Sequence, residues 1–411
     1  MKLRITVDQL SLGMYVTDLD RPWLESPFLF QGFEIQDDDE LKQLRELCEY
    51  VFVDVERSAF DAAAHLRSLP LPPTRQHDET GHHDAGSDDA TTDFRAELIR
   101  ARRIYQDTRS YITQALDDVR LGSAVDTNAA RRLVREMAQS VVRNHSALVW
   151  LTSLKERDIY TVTHCMNVCI LALSFGRCLG LSDEQQAELG LGALLHDLGK
   201  MKVPDAILNK PSSLTPEEFE VMKRHPAYGY ELLRDSNDVS DTALDIVLHH
   251  HERIDGMGYP SGLDGDAIRF LTKLVSIVDV YDAITSDRIY HDGIPPHNAL
   301  KNMYNWAPQN FEQDLMEQFI RCIGIYPIGS TVELSNGQVG VVVSANRKSR
   351  LRPIVLLLMD EKHRPFKIRR YLNLAGSGAA RDPQSTHVRG IVDGKALGIN
   401  IHAIIEEESA G

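Results

Sequence analysis

The chain has 411 residues, 43% of them hydrophobic, and a formal net charge of -15. That length exceeds one ordinary core, so two or three domains are expected. The negative charge excludes a general nucleic-acid binder, which needs broad basic surfaces, so a phosphate-bearing ligand has to be drawn in locally by a metal or a few cations.

Five cysteines, Cys48, Cys165, Cys169, Cys178 and Cys322, are odd in number and form no C-x-x-C pair. This argues against a disulfide framework and a thiolate zinc site, and for a reducing cytoplasm. No segment approaches the ~20 apolar residues needed to cross a bilayer, and the N-terminus lacks the apolar stretch of a signal peptide. A cytoplasmic, unprocessed protein without membrane insertion is expected.

Residues 1–67 read as a small α+β domain. Val7, Leu10, Met14, Val16 and Leu19 suggest strands broken at Gly13, followed by a helix over 37–47 and a closing strand over 50–55. The aromatics between Pro22 and Phe30 are read as a loop folded back over the sheet in preference to a docking surface. Residues 68–92 hold Pro70, Pro72, Pro73, Gly81 and Gly86 among Asp78, Glu79, Asp84, Asp88 and Asp89, the composition of a disordered acidic linker. Its His77, His82 and His83 are read as incidental.

Over residues 93–155, Leu98, Ile99, Ile104, Tyr105, Ile112 and Leu116, then Leu133, Val134, Met137, Val141 and Val142, recur at helical spacing. They predict two amphipathic helices joined at Gly122 and Ser123. Their stripes either close the following domain or pair two copies into a homodimer, and the spacing leaves both open. Residues 156–324 read as helix after helix: one over 161–178, then another N-capped by Ser182 and running into Leu194, Leu195, His196 and Asp197. Residues 325–407 turn strand-rich around the Asn336 and Gly337 hairpin, so a small β-rich domain is expected there.

The chemistry concentrates in the helical stretch. Residues 249–260 read H-H-H-E-R-I-D-G-M-G-Y-P and residues 194–200 read L-L-H-D-L-G-K. A hydrophobic interior has no use for adjacent imidazoles, because each buried ring nitrogen needs a hydrogen-bond partner or a metal. His164, His196, Asp197, His225, His250, His251 and Asp279 offer only nitrogen and oxygen, which suits iron, manganese or zinc. Singly, His164 reads as a core histidine bonded to backbone and Asp279 as an isolated buried carboxylate. Together, the set exceeds what packing accounts for. Asp197 beside His196 can reach across to a second ion, and a bridging carboxylate is what a two-metal centre needs.

These residues, with Leu208-Asn209-Lys210-Pro211, Met222-Lys223-Arg224-His225-Pro226 and V-D-V-Y-D-A-I-T-S-D-R at 278–288, closely resemble the HD-GYP domain over residues 158–324. This is a branch of the HD metal-dependent phosphohydrolases. Residues 2–67 are similar to a domain of unknown function that precedes HD-GYP domains in some bacterial proteins. The resemblance implies a multidomain protein whose mainly α-helical HD-type catalytic domain is flanked by the α+β and β-rich domains. It also implies hydrolysis of cyclic di-GMP, a bacterial second messenger. Carried over by position, one metal is held by His164, His196, Asp197 and Asp279, and the other by His225, His250 and His251 with Asp197 bridging. Asp197 and Lys200 are the implied catalytic residues. Lys200, Arg288 and Tyr259 are the implied substrate contacts.

Two divalent transition metal ions are expected, iron or manganese ahead of zinc or nickel. Asp282 would orient a ligand or pass a proton, Glu252 and Asp255 would support the loop, Gly256 and Gly258 would let it turn tightly, and His249 would stand beside the site. Two departures matter. Some family members hold a third metal with a Glu four residues before the first His ligand, where this chain has Tyr160; two metals are therefore expected, with linear pGpG as the main product and GMP as a further one. The family's basic residue shortly after S-D-R-P-Y is missing from Ser286-Asp287-Arg288-Ile289-Tyr290-His291, which weakens the hold on phosphate. The alternatives are a low-turnover cyclic di-GMP binding and signalling protein using the same site, and a phosphohydrolase of another cyclic dinucleotide. Signalling proteins are expected partners; nucleic acid is not.

Overall fold

The computed structural model describes residues 2–20, 26, 28, 32–59, 87–154, 160–236, 238–286, 293–346, 349, 351–376 and 386–409. The chain forms two compact units: Met1–Asp89 with Val332–Gly340 and Asn346–Ile391, and Ala90–Thr331 with Val341–Ala345 and Val392–Gly411. The N-terminal sheet and most of the C-terminal sheet therefore share one unit.

In the first unit, strands β1 (Lys2–Thr6), β2 (Tyr15–Leu19), β3 (Phe33–Glu34) and β4 (Tyr50–Asp54) form a sheet in the order β1-β4-β2-β3. Period-two alternation buries Val51 and Val53 of β4 against Ile5, Met14, Val16 and Leu44. Helix α1 (Asp38–Leu47) starts where the Asp37 carboxylate accepts the Glu40 amide at 2.8 Å. Phe28 is buried and stacks on Phe33 at 4.7 Å, so this aromatic does fold back; Ser26 apart, the other residues of the 22–30 stretch lie outside the described residues. A second sheet comprises β5 (Thr331–Leu334), β6 (Val339–Ser344), β7 (Ile354–Met359), β8 (Pro365–Asn373) and β9 (Val388–Ile391) in the order β8-β7-β6-β5-β9. Gly337, at φ +85°, makes the expected turn between β5 and β6.

The helical unit contains α2 (Ser87–Leu121), α3 (Thr127–Leu151), α4 (Tyr160–Cys178), α5 (Asp183–Leu195), a 3-10 turn (Leu198–Lys202), α6 (Asp205–Leu208), α7 (Pro216–Met222), α8 (His225–Leu233), α9 (Asp241–His249), α10 (Phe270–Thr285), α11 (Pro296–Asn310), α12 (Gln313–Ile323) and α13 (Ile401–Ser409). Nearly every residue of α4 is buried, and it packs on α3, α5 and α10. Such a helix is apolar all round because it is surrounded. Ser182 and Gln185 form a capping box at the start of α5. The stripes of α2 and α3 are buried, with Leu98, Ile104, Ile112, Val134 and Met137 inside, whereas Ile99 and Val142 face solvent. Glu97 ties the two helices together by accepting hydrogen bonds from Ser140 and Arg143.

One expectation fails. Cys178 and Cys322 are joined in a disulfide, their Cα atoms 6.0 Å apart across 144 residues of sequence. Spacing rules detect local cysteine pairs, whereas this pair is made by the packing of the end of α4 against the end of α12. Cys48, Cys165 and Cys169 are buried and take no part in this disulfide. Among the described residues no helix is long and apolar enough to cross a membrane.

Candidate metal centre

Five segments converge on one buried point. His164 comes from α4, His196 and Asp197 from the end of α5, His225 from the start of α8, His250 and His251 from the end of α9, and Asp279 from α10. The approach is close because residue 199 is glycine: a Cβ there would lie 2.0 Å from the His225 carbonyl oxygen. The donor atoms of Asp197, His225, His250 and His251 lie within 4.8 Å of one another, and so do those of His164, His196 and Asp279. The Asp197 carboxylate faces both groups, with Oδ1 3.3 Å from His225 Nε2 and Oδ2 3.3 Å from His196 Nε2 and 3.6 Å from His164 Nε2.

The rings are held in one tautomer. His196 Nδ1 donates to the Ala193 carbonyl at 2.8 Å, His225 Nδ1 to Met222 at 2.9 Å and His250 Nδ1 to Val247 at 3.0 Å. Each acceptor lies three residues back, in the last turn of α5, α7 or α9. The last carbonyls of a helix lack intrahelical partners, so these bonds satisfy the helix ends and fix the rings at once. Each Nε2 then turns its lone pair inward. His164 differs, because it stands inside α4. Its Nδ1 meets Asp282 Oδ2 at 2.7 Å and its Nε2 meets Asp279 Oδ1 at 2.9 Å.

The donor set fits divalent metal ions. His196 Nε2 and Asp197 Oδ1 are buried without a hydrogen-bond partner, an arrangement that is costly unless a cation satisfies both. Burial acts to raise the pKa of Asp197, yet the Lys200 ammonium and His196 hold it well below the usual carboxylate range. Asp279 behaves alike: burial opposes its ionisation, and the hydrogen bond from His164 leads the contacts that reverse the balance. Burial pushes His225 and His250 down, keeping them neutral, as metal ligands must be. Burial also acts to lower His164, but Asp279 and Asp282 outweigh it and raise the ring to about 9. Protons and metal therefore compete for that ring.

Around this core, Lys200 Nζ lies 2.6 Å from Asp197 Oδ2. Glu252 accepts the amides of Ser261 at 2.7 Å and Leu263 at 3.0 Å, pinning the glycine-rich loop, and Asp255 accepts that of Met257. A Cβ at Gly258 would meet the Arg253 nitrogen at 2.4 Å and Glu252 Cα at 2.5 Å, so only glycine fits. The loop ends at Tyr259, whose ring lies 4.7 Å from that of His251 and 6.3 Å from that of Phe219. His249 points away, its Nδ1 3.1 Å from Asp245 Oδ1. Tyr160 stacks on the His164 ring at 5.3 Å. Arg288 lies outside the described residues. Two neighbours escape the sequence reading. Phe219 is an exposed aromatic with no motif to mark it, and Asn167, one turn beyond His164, is a polar residue in an apolar helix, which is the signal that could have found it.

Three family models match the chain: a domain of unknown function (DUF3391) over residues 2–130, an HD domain over residues 134–315, and a KOW domain associated with HD domain over residues 331–378. The chain is 38% identical over 366 residues to the cyclic di-GMP phosphodiesterase PA4108 of Pseudomonas aeruginosa, a match covering 88% of this chain and 86% of the relative. It is 37% identical over 193 residues to the cyclic di-GMP phosphodiesterase response regulator RpfG of Xanthomonas campestris, covering 46% of this chain and 51% of that one. It is 30% identical over 185 residues to the 3'3'-cGAMP-specific phosphodiesterase 2 of Vibrio cholerae, covering 45% and 34% respectively.

Proposed function

The chain belongs to the HD-GYP family of HD-domain cyclic di-GMP phosphodiesterases, and from that membership we propose that it cleaves cyclic di-GMP at the centre built around Asp197. His164, His196, Asp197 and Asp279 are assigned to one ion, and His225, His250 and His251 to a second, with Asp197 shared. The observation that carries this reading is the pair of nitrogen and oxygen donor groups facing one carboxylate, with the lone pairs of His196, His225 and His250 turned inward. Two divalent ions, iron or manganese before zinc or nickel, supply Lewis-acid stabilisation of phosphoryl oxygen and a nucleophile at neutral pH.

The protein's own residues do the rest. Asp197 sets the spacing of the two groups, and Lys200 beside it presents an ammonium to a non-bridging phosphate oxygen. Tyr259, flanked by Phe219, offers an apolar face at the rim for a purine base, and Arg288 is assigned a second phosphate contact. Tyr160, where an acidic ligand would serve a third ion, supports linear pGpG as the main product, with slower conversion to GMP.

The test is to load the purified protein with ferrous iron or manganese, verify the metal content, and follow cyclic di-GMP by chromatography. Formation of pGpG that disappears in Asp197→Ala is the expected result. Tight binding with no product would favour the low-turnover binding protein, a reading supported by His291, where the family's basic residue after S-D-R-P-Y is missing. Preferential cleavage of 3'3'-cGAMP would place the chain with its Vibrio cholerae relative instead. We further place the protein in the cytoplasm, working with signalling partners. A homodimer through residues 93–155 would have to use their outward faces, such as those of Ile99 and Val142, and light scattering tests it.

A further inference from the structure

We propose that Asn167 is a positioning residue for the ion assigned to His164, acting through Asp282. The inference rests on the reading of His164 as a ligand. Asn167 lies three residues after His164 on the same face of α4 and is fully buried. Its Nδ2 donates to Asp282 Oδ1 at 3.0 Å and to the Thr152 carbonyl at 3.3 Å. The other oxygen of Asp282 accepts from His164 Nδ1 at 2.7 Å.

The need for such a device follows from where the histidines stand. His196, His225 and His250 borrow free carbonyls from the last turn of a helix, which are rigid acceptors. His164 is inside α4, where backbone carbonyls are consumed by the helix, so only a side chain can hold its Nδ1–H. A carboxylate can rotate and present either oxygen. Asn167, anchored to the Thr152 carbonyl just beyond α3, engages Oδ1 and thereby aims Oδ2 at His164. The ring is then turned so that Nε2 points at Asp279 and Asp197, 2.9 and 3.6 Å away. Asn167 touches neither substrate nor ion and acts only through this chain of bonds.

Manganese titration of metal-free full-length protein, by calorimetry with elemental analysis, tests the idea. Asn167→Leu, which keeps volume and removes the donors, should weaken one of the two binding events by roughly 10–100-fold and leave the other unchanged. In an Asp282→Ala background the same change should add nothing. A folded Asn167→Leu protein with both wild-type affinities overturns the proposal, and so do losses that add independently with Asp282→Ala. Should Asn167→Leu fail to fold, Asn167→Ala, which also removes the donors and adds no charge, decides by the same criteria. A wild type that binds no manganese refutes the metal centre itself, a different outcome from an Asn167 without effect.

Discussion

His225 and His250 face each other nitrogen to nitrogen, Nε2 to Nε2 at 3.3 Å, while the Nδ1 of each donates to a backbone carbonyl. In that tautomer two lone pairs meet in a buried space. Burial pushes both rings away from protonation, so a proton is a poor remedy and a shared cation a good one. Divalent metal should therefore stabilise the fold, by about 2.7 kcal/mol at a hundredfold excess over Kd. Scanning calorimetry with and without chelator measures it, and His250→Ala should lose much of the gain. A midpoint indifferent to metal would count against any ion at these residues.

Asp197 is the carboxylate that reaches both donor groups. Asp197→Asn keeps its shape and removes the charge, and turnover of cyclic di-GMP should fall by about 1,000-fold or more. Single-turnover kinetics at saturating metal distinguish this from weaker substrate binding. A tenfold effect would remove Asp197 from its assigned role.

Metal-free protein should lose stability as the pH rises. His164 is raised from 6.5 to about 9 once the Asp279 and Asp282 bonds outweigh the cost of burial. A group whose folded pKa exceeds its unfolded one contributes fully below the unfolded value and ceases to contribute above the folded value. The midpoint of chelator-treated protein should fall between pH 6.5 and 9, and Asp282→Asn should flatten that slope. Metal affinity should move the opposite way, rising over the same interval as the competing proton leaves. A metal-free midpoint that climbs over this window contradicts the pairing.

Tyr259 stands at the rim, beside His251 but outside both donor groups. Tyr259→Ala should raise KM for cyclic di-GMP about tenfold, with metal content unchanged and kcat nearly so, because it removes uniform binding of a base. Equal losses in kcat and kcat/KM would instead give Tyr259 a role in the transition state.

The Cys178–Cys322 disulfide closes a loop that contains His196, Asp197, His225, His250, His251 and Asp279. By the chain-entropy argument a loop of this length stabilises by up to about 5 kcal/mol, and typical measured values are about 2–4 kcal/mol. Cys178→Ser should lower the denaturation midpoint accordingly under non-reducing conditions, and a dithiol reductant should bring the wild type to the same value. If reductant leaves the wild-type midpoint untouched, the pair is not oxidised in the purified protein.

Much of this molecule was legible in the chain before any fold was known. Helices at 161–178 and after Ser182 could be read because their signals are local: apolar spacing and a capping serine act within a few residues. The seven candidate ligands could be named because imidazoles and carboxylates in apolar helices have few other reasons to be there. What the residues do to one another was not legible. Whether His164 is held by a backbone carbonyl or by Asp282 depends on whether it ends a helix or sits within one beside α10. Asn167 gains its meaning only from Asp282, 115 residues away. The cysteine reading failed for the same reason, since counting and spacing cannot see a pair brought together across 144 residues. Local sequence fixes which groups are available; packing of distant helices decides which atoms face each other, and the chemistry belongs to those atoms.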